Sequence, residues 1–307
     1  MLRYLAAFCY RAFYLLHHRL CLKPGQPLRH ARLVVVGSYR TGGAGKTPFC
    51  IWLVEFLVAQ GKSVAVLCHR YAYDEVELLR RKFENFTQVE IVSTDNRYRA
   101  AHRLDKTCRY DFVLCDDGFE DSRLTGAMSF ILSWGNVPRK WSELWPAGNA
   151  KSLECDHSAQ DAFEICCSGE SADVGFVIDK ITDLREETLS VKDCGAVHLF
   201  CALGNPERFC RDVENYGICI ARKNFLRDHD RSYAKRLVRA MRRFPSDMFL
   251  ISEKDAARLQ CSPEWSRYFA TGLELLRRVC VALQKTTVKE SVQKKIQRQL
   301  LYFDKGL

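Results

Sequence analysis

The first 54 residues, Met1 to Val54, contain no Asp or Glu; the first acid is Glu55. Arg3, Arg11, Arg19, Lys23, Arg29, Arg32, Arg40 and Lys46 all fall inside that stretch. A block of one sign suggests a surface that meets anions: phospholipid headgroups, nucleic acid or a phosphorylated substrate. Composition alone does not choose among them. A C-x-x-C pair is missing as well, although the chain holds fifteen cysteines and only Cys166-Cys167 are adjacent. The even spacing of Cys201, Cys210 and Cys219 falls across an expected strand, helix and strand, which would not gather three thiolates. A zinc site or disulfide framework is therefore not expected, and free, mostly buried thiols in a reducing cytosol are. No apolar run reaches the roughly 18 residues of a spanning helix, and no compact h-region with a small-residue cleavage site marks a removable signal peptide. Repeats and low-complexity tracts are absent too.

What is present is a core-forming chain. Its 307 residues are 47% hydrophobic and 27% charged, with a net charge of +10, enough for one large or two ordinary domains. Residues Met1–Leu22 are rich in Leu, Phe and Tyr, and their only formal charges are basic. That pattern fits an amphipathic helix lying on an anionic leaflet, with packing on its own domain as the plain alternative. From Ala31 the chain reads as a β-loop-α-β unit. Leu33–Val36 is a short buried strand, Pro48–Gln60 has helical apolar spacing, and Ser63–Leu67 is the next strand. Helix Val76–Phe86, strand Val89–Val92, helix Tyr98–Asp105 and strand Phe112–Cys115 follow, with Ser129–Trp134 as the last strand of this sheet. Pro138–Asp173 reads as irregular. From Gly195 a second, smaller α/β alternation begins, and Lys285–Arg298 reads as a basic, helical or frayed end. The expected division is 1–30 (helix and lead-in), 31–175 (nucleotide-binding domain) and 176–307 (smaller domain with a basic tail). The fold class is α/β: a P-loop NTPase-like, mostly parallel sheet with helices on both faces, plus that smaller α/β domain.

The chemistry concentrates in Gly42-Gly43-Ala44-Gly45-Lys46-Thr47, which follows a buried strand and opens a helix. Backbone amides converge on phosphate oxygens only where glycine lets the main chain approach closely. Lys46 can then reach the outer phosphates of a nucleoside triphosphate, Thr47 can hold Mg²⁺, and the helix dipole favours the anion. The strict pattern asks for Gly where Arg40 stands; the strand-loop-helix context is met. Asp116 and Asp117, closing an apolar strand, are placed to bind the same Mg²⁺. An isolated Asp-Asp-Gly is more often a turn, and the loop upstream reverses that weighting.

The string Gly37-Ser38-Tyr39-Arg40-Thr41-Gly42-Gly43-Ala44-Gly45-Lys46-Thr47-Pro48 resembles the loop of the tetraacyldisaccharide 4′-kinases. So do Asp116-Asp117-Gly118-Phe119-Glu120, Pro146-Ala147-Gly148 and Gly204-Asn205-Pro206-Glu207-Arg208-Phe209. Phe225 through Asp228-His229 and Ser252 through Leu259 complete six matches in the family's order. The resemblance implies transfer of the ATP γ-phosphate to the 4′-hydroxyl of a tetraacylated glucosamine disaccharide 1-phosphate in lipid A biosynthesis. It implies a peripheral enzyme at the cytoplasmic face of a bacterial inner membrane, its N-terminal helix on the anionic surface. It also implies that Asp74 and His229 together deprotonate the acceptor hydroxyl, a task that suits a carboxylate-oriented imidazole.

Several positions depart from the family pattern. His69-Arg70-Tyr71-Ala72 lacks two glycines, Asn149-Ala150-Lys151-Ser152 puts Ser152 where an acid is usual, Asp230 replaces a second His, and Glu120 replaces Gln. They cluster at the expected active site and motivate a second reading, a catalytically weakened or non-catalytic membrane-associated protein that binds ATP. Nucleic-acid binding is not expected: the N-terminal aromatics have helical spacing and no RNA- or DNA-binding module is present.

Overall fold

The computed structural model describes residues 2–157, 162–169, 171–271 and 277–301. Helix α1 (Leu2–Cys21) leads into strand β1 (Arg32–Gly37), helix α2 (Lys46–Ala59), β2 (Val64–His69), α3 (Tyr73–Lys82), β3 (Val89–Thr94), α4 (Arg97–Asp105), β4 (Phe112–Asp116), β5 (Met128–Ser133) and β6 (Ala162–Cys166). The six strands form one sheet in the order β3-β2-β4-β1-β5-β6, every pairing parallel.

This sheet is covered on both faces, and the strand sequences say why. Side chains alternate across a strand, so a run that is apolar at every position must bury both sets. In β1, Val34 and Val36 enter one core while Leu33 and Val35 enter the other. The same split puts Val64, Val66 and Leu114 with the first pair, and Ala65, Leu67 and Val113 with the second. Each fully buried Val or Leu contributes about 1.5–3 kcal/mol relative to an exposed one. Helix α2 covers the first face through Phe49, Leu53 and Leu57; α4 covers the second through Ala100, Ala101 and Leu104.

A second sheet follows from strand β7 (Val174–Asp183), β8 (Thr188–Leu189), the short helix α5 (Val191–Cys194), β9 (Val197–Cys201), α6 (Pro206–Asn215), β10 (Ile220–Phe225), α7 (Tyr233–Arg243), β11 (Met248–Ser252), α8 (Glu253–Gln260), α9 (Pro263–Thr271) and β12 (Val279–Val288). Its order is β10-β9-β11-β12-β7-β8, parallel from β10 to β12 and antiparallel at β7 and β8.

Three expectations are corrected. The stretch expected to be irregular contains β6, an edge strand in which only Ile165 is fully buried, so it lacks a continuous apolar signature. Ser129–Trp134 is therefore not the last strand of its sheet. The basic C-terminal stretch is helical as expected from Glu290 on (α10, Glu290–Leu301), but Lys285–Val288 ends strand β12, and the helix is not merely solvated: Val292, Ile296 and Leu300 pack back into the first sheet's core. One apolar stripe holds that helix down beneath many surface charges.

Candidate active site

Strands β1 and β4 are neighbours, with Val36 paired to Asp116, so the loop after β1 and the acids after β4 emerge side by side. Gly42, Gly43 and Gly45 all adopt positive φ, at 60°, 66° and 83°, which a side chain would strain. A Cβ on Gly45 would also lie 2.4 Å from the Phe176 ring, and one on Gly43 2.6 Å from the Asn205 Cβ. The loop thus runs tightly against residues of the second sheet's side.

At its end, the buried Thr47 hydroxyl donates to Asp116 Oδ2 at 3.0 Å. Asp116 Oδ1 is buried and has no hydrogen-bond partner among the described residues. Burial, with the Glu75 and Asp117 carboxylates nearby, pushes Asp116 up to about 7. An orphaned carboxylate oxygen beside a hydroxyl is a hard-oxygen donor set that suits Mg²⁺. Asp117 is turned differently: its carboxylate lies 3.6 Å from Lys46 Nζ and 3.3 Å from Lys151 Nζ. Burial alone would raise Asp117, but Lys46, Lys151 and Arg97 hold it below the usual carboxylate range.

Lys151 is a group the sequence reading passed over. Thr41 donates its amide to Asn149 O, and Lys151 donates its own to Tyr39 O, so the strip from Asn149 to Lys151 is zipped along the approach to the phosphate loop. Lys151 reaches Asp117 and also Glu120, at 3.6 Å. Ser152 points the other way; it is fully buried and bonded to His157 at 2.9 Å.

The second cluster bridges the two sheets. Asp74, in the first turn of α3, is completely buried, and its Oδ1 meets His229 Nδ1 at 2.9 Å. Its other oxygen accepts from the Arg258 guanidinium, and Arg258 also donates to Asp255 at 2.7 Å. Burial opposes ionisation of Asp74, but the His229 hydrogen bond and the Lys254 and Arg258 charges hold it well below the usual range. His229 is raised in return, chiefly by its bond to Asp74. The imidazole sits in the loop after β10 at φ 57°, a left-handed conformation uncommon for a residue with a Cβ. Asp228 accepts from Lys254 at 3.1 Å and does not cap α7. Asp74, Asp228 and His229 could together surround a cation. Lys254, within 4 Å of both carboxylates, and Arg258 already supply positive charge there.

A cavity of about 860 Å³ joins the two clusters; its walls include Gly42–Thr47, Asp116, Asp117, Lys151, Asp228 and His229. Every expected site residue therefore lies on it except Asp74, which stands behind His229. Lys254 and Arg258 belong to a string already noted for its resemblance, but no role was read from it. A cationic pair four residues apart, on a helix that starts directly after a buried strand, was the available signal.

Comparison with known proteins gives the family. Residues 2–300 match the family model described as tetraacyldisaccharide-1-P 4′-kinase. A tetraacyldisaccharide 4′-kinase of Pasteurella multocida is 27% identical over 256 residues, covering 74% of this chain and 75% of the relative. One from Haemophilus influenzae is 24% identical over 252 residues, covering 74% of each. The crystal structure of LpxK from Aquifex aeolicus in complex with ATP superposes with a TM-score of 0.62 over 96% of both chains, at 17% identity, and so shares the fold. By sequence match along nearly its whole length, the chain belongs to the tetraacyldisaccharide-1-P 4′-kinase family.

Proposed function

We propose that this protein transfers the γ-phosphate of ATP to the 4′-hydroxyl of a tetraacylated glucosamine disaccharide 1-phosphate, the lipid A precursor. The observation that carries the reading is one cavity shared by the phosphate loop and His229, whose ring is bonded to Asp74 behind it. Such a cavity can hold a nucleotide and an acceptor together, which is most of what phosphoryl transfer requires of a protein. Lys46 and the amides of Gly42 to Thr47 bind the phosphates. Thr47 and Asp116 are the residues that would hold Mg²⁺, and Asp117 keeps Lys46 and Lys151 in place. Bound there, Mg²⁺ neutralises charge developing on the phosphates.

With Nδ1–H given to Asp74, His229 has its Nε2 lone pair available for the proton of the attacking hydroxyl. Asp74 orients the ring and stabilises the imidazolium that forms. Arg258 and Lys254 fix Asp74 in turn. An acceptor anchored in a bilayer also needs the enzyme at its surface. Among the described residues no helix is long and apolar enough to cross a membrane. Helix α1 exposes Leu2, Leu5, Phe8, Phe13, Leu16 and Leu20, an apolar set that suits a helix lying in a membrane interface, and we place that interface at the cytoplasmic side of the inner membrane.

The test is transfer of labelled γ-phosphate from ATP to the tetraacyl disaccharide 1-phosphate in detergent micelles. Wild type is expected to turn over, with Lys46→Ala and His229→Ala each slower by about 10²-fold or more. ATP binding without transfer to the lipid would instead support the non-catalytic reading suggested by Ala72 and Ser152.

A further inference from the structure

Three successive carbonyls of the phosphate loop each accept a hydrogen bond. Gly43 O accepts from Arg208 at 3.0 Å, Ala44 O from the Trp134 indole at 3.0 Å, and Gly45 O from the Phe49 amide at 3.0 Å. Among the described residues, the amides of Gly42 through Gly45 donate to no backbone carbonyl. A trans peptide plane is rigid and its C=O and following N–H point opposite ways, so pinning a carbonyl also fixes the direction of the next amide. Two of the three pins are side chains, and one of these, Arg208, comes from α6 in the second sheet's layers.

The setting of Arg208 is unusual for a surface helix residue. Its guanidinium lies 4.9 Å from the Trp134 ring and 5.4 Å from the Phe176 ring, and those rings stack on each other. Phe176 is also the ring pressed against Gly45. The ordinary explanation would be an ion pair with Asp212, one turn along α6. That pair is loose, at 3.9 Å, and both of its nearest atoms, Arg208 Nε and Asp212 Oδ2, lack hydrogen-bond partners. The well-formed bond is the one to Gly43.

We propose that Arg208 is a positioning residue for ATP: it holds the loop's amides toward the phosphates and seats the second sheet, with His229, against the loaded loop. The proposal rests on the reading that this loop binds ATP. It gives the Gly204-to-Phe209 string a physical reason, since Gly204 and Asn205 allow the close approach and Arg208 makes the bond. A Cβ on Gly204 would stand 2.5 Å from the Gly43 nitrogen, so only glycine permits that contact.

Titration calorimetry with Mg-ATP on the full chain tests it, beside steady-state kinetics. Arg208→Ala is expected to weaken ATP binding by about tenfold or more, the scale of a lost charge-assisted hydrogen bond. The loss should appear in KM for ATP, with KM for the lipid acceptor unchanged. Arg208→Lys, which keeps charge and a donor but not the planar stack, should fall between wild type and Arg208→Ala. Arg208→Met, which fills the space beside the two rings without a donor, should lose as much as Arg208→Ala, and it carries the test if the alanine variant does not fold. ATP affinity within twofold of wild type in folded Arg208→Met overturns the proposal. A wild-type chain that binds no ATP overturns the nucleotide reading itself, and this inference with it.

Discussion

Asp74 carries three roles through two oxygens: it orients His229, answers Arg258 and lies near Lys254. Asp74→Asn keeps the shape but exchanges a charged acceptor for an amide, so both the imidazolium and the two cations lose their counter-charge. Turnover should fall by about 10²-fold or more. The pH profile separates this from simple unfolding. Because the bond to Asp74 raises His229, the base is protonated and idle below its shifted value, so wild-type kcat/KM should fall at acid pH with a midpoint above 6.5. Removing the carboxylate should move that acid limb to lower pH. A limb that stays in place would dissociate His229 from the acid limb. Stability carries the opposite sign for Asp74: its folded value is depressed from 3.8, so its contribution is present above that pH and is lost as pH falls through the depressed value.

At the scale of elements, the phosphate loop and the parallel strands were legible because each has a local signature. Glycines at fixed spacing announce left-handed backbone, and Leu33-Val34-Val35-Val36 announces a strand buried on both faces. Strand β6 and the long β7–β12 pair were not, because they are half-exposed; in β12 the Gln284–Thr287 stretch looks like solvated chain. The packing of helix α10, though not its helical character, was obscured in the same way by Lys294, Lys295 and Arg298 around a stripe of three apolar residues. That stripe can be weighed. Ile296 is fully buried in the first core, so Ile296→Ala should cost about 2–5 kcal/mol by denaturant titration. A cost below about 0.5 kcal/mol, the range of ordinary surface changes, would show that α10 does not hold the first sheet. The site was half legible for a related reason. Asp116 and His229 sit in recognisable strings, whereas the contacts of Lys151 and Arg208 exist only once distant segments meet.

For the whole molecule, the arrangement of α1 links surface to site. Tyr10 donates to Lys151 O at 2.9 Å, and Lys151 Nζ reaches Asp117, so the helix touches the strip that flanks the phosphate loop. Tyr4 and Tyr10 meet Trp141 and Trp145 edge-on, and Arg11 pairs with Asp156 at 3.1 Å. One side of α1 is thereby fastened to the body, leaving Phe13 and Leu16, 69% and 55% exposed, facing outward. Burying each of these side chains in an interface is worth about 1.5–3 kcal/mol, and the basic residues nearby add attraction that salt screens. Phe13→Glu combined with Leu16→Glu should therefore lower partitioning onto anionic vesicles by more than about tenfold, while leaving ATP affinity unchanged because neither residue touches the fastened side. Raising salt should weaken wild-type binding only in part, since the apolar share is not screened. Sedimentation with phosphatidylglycerol vesicles measures both effects. Undiminished binding of the double variant would move the membrane contact off this helix, and binding abolished by salt alone would reduce α1 to an electrostatic tether.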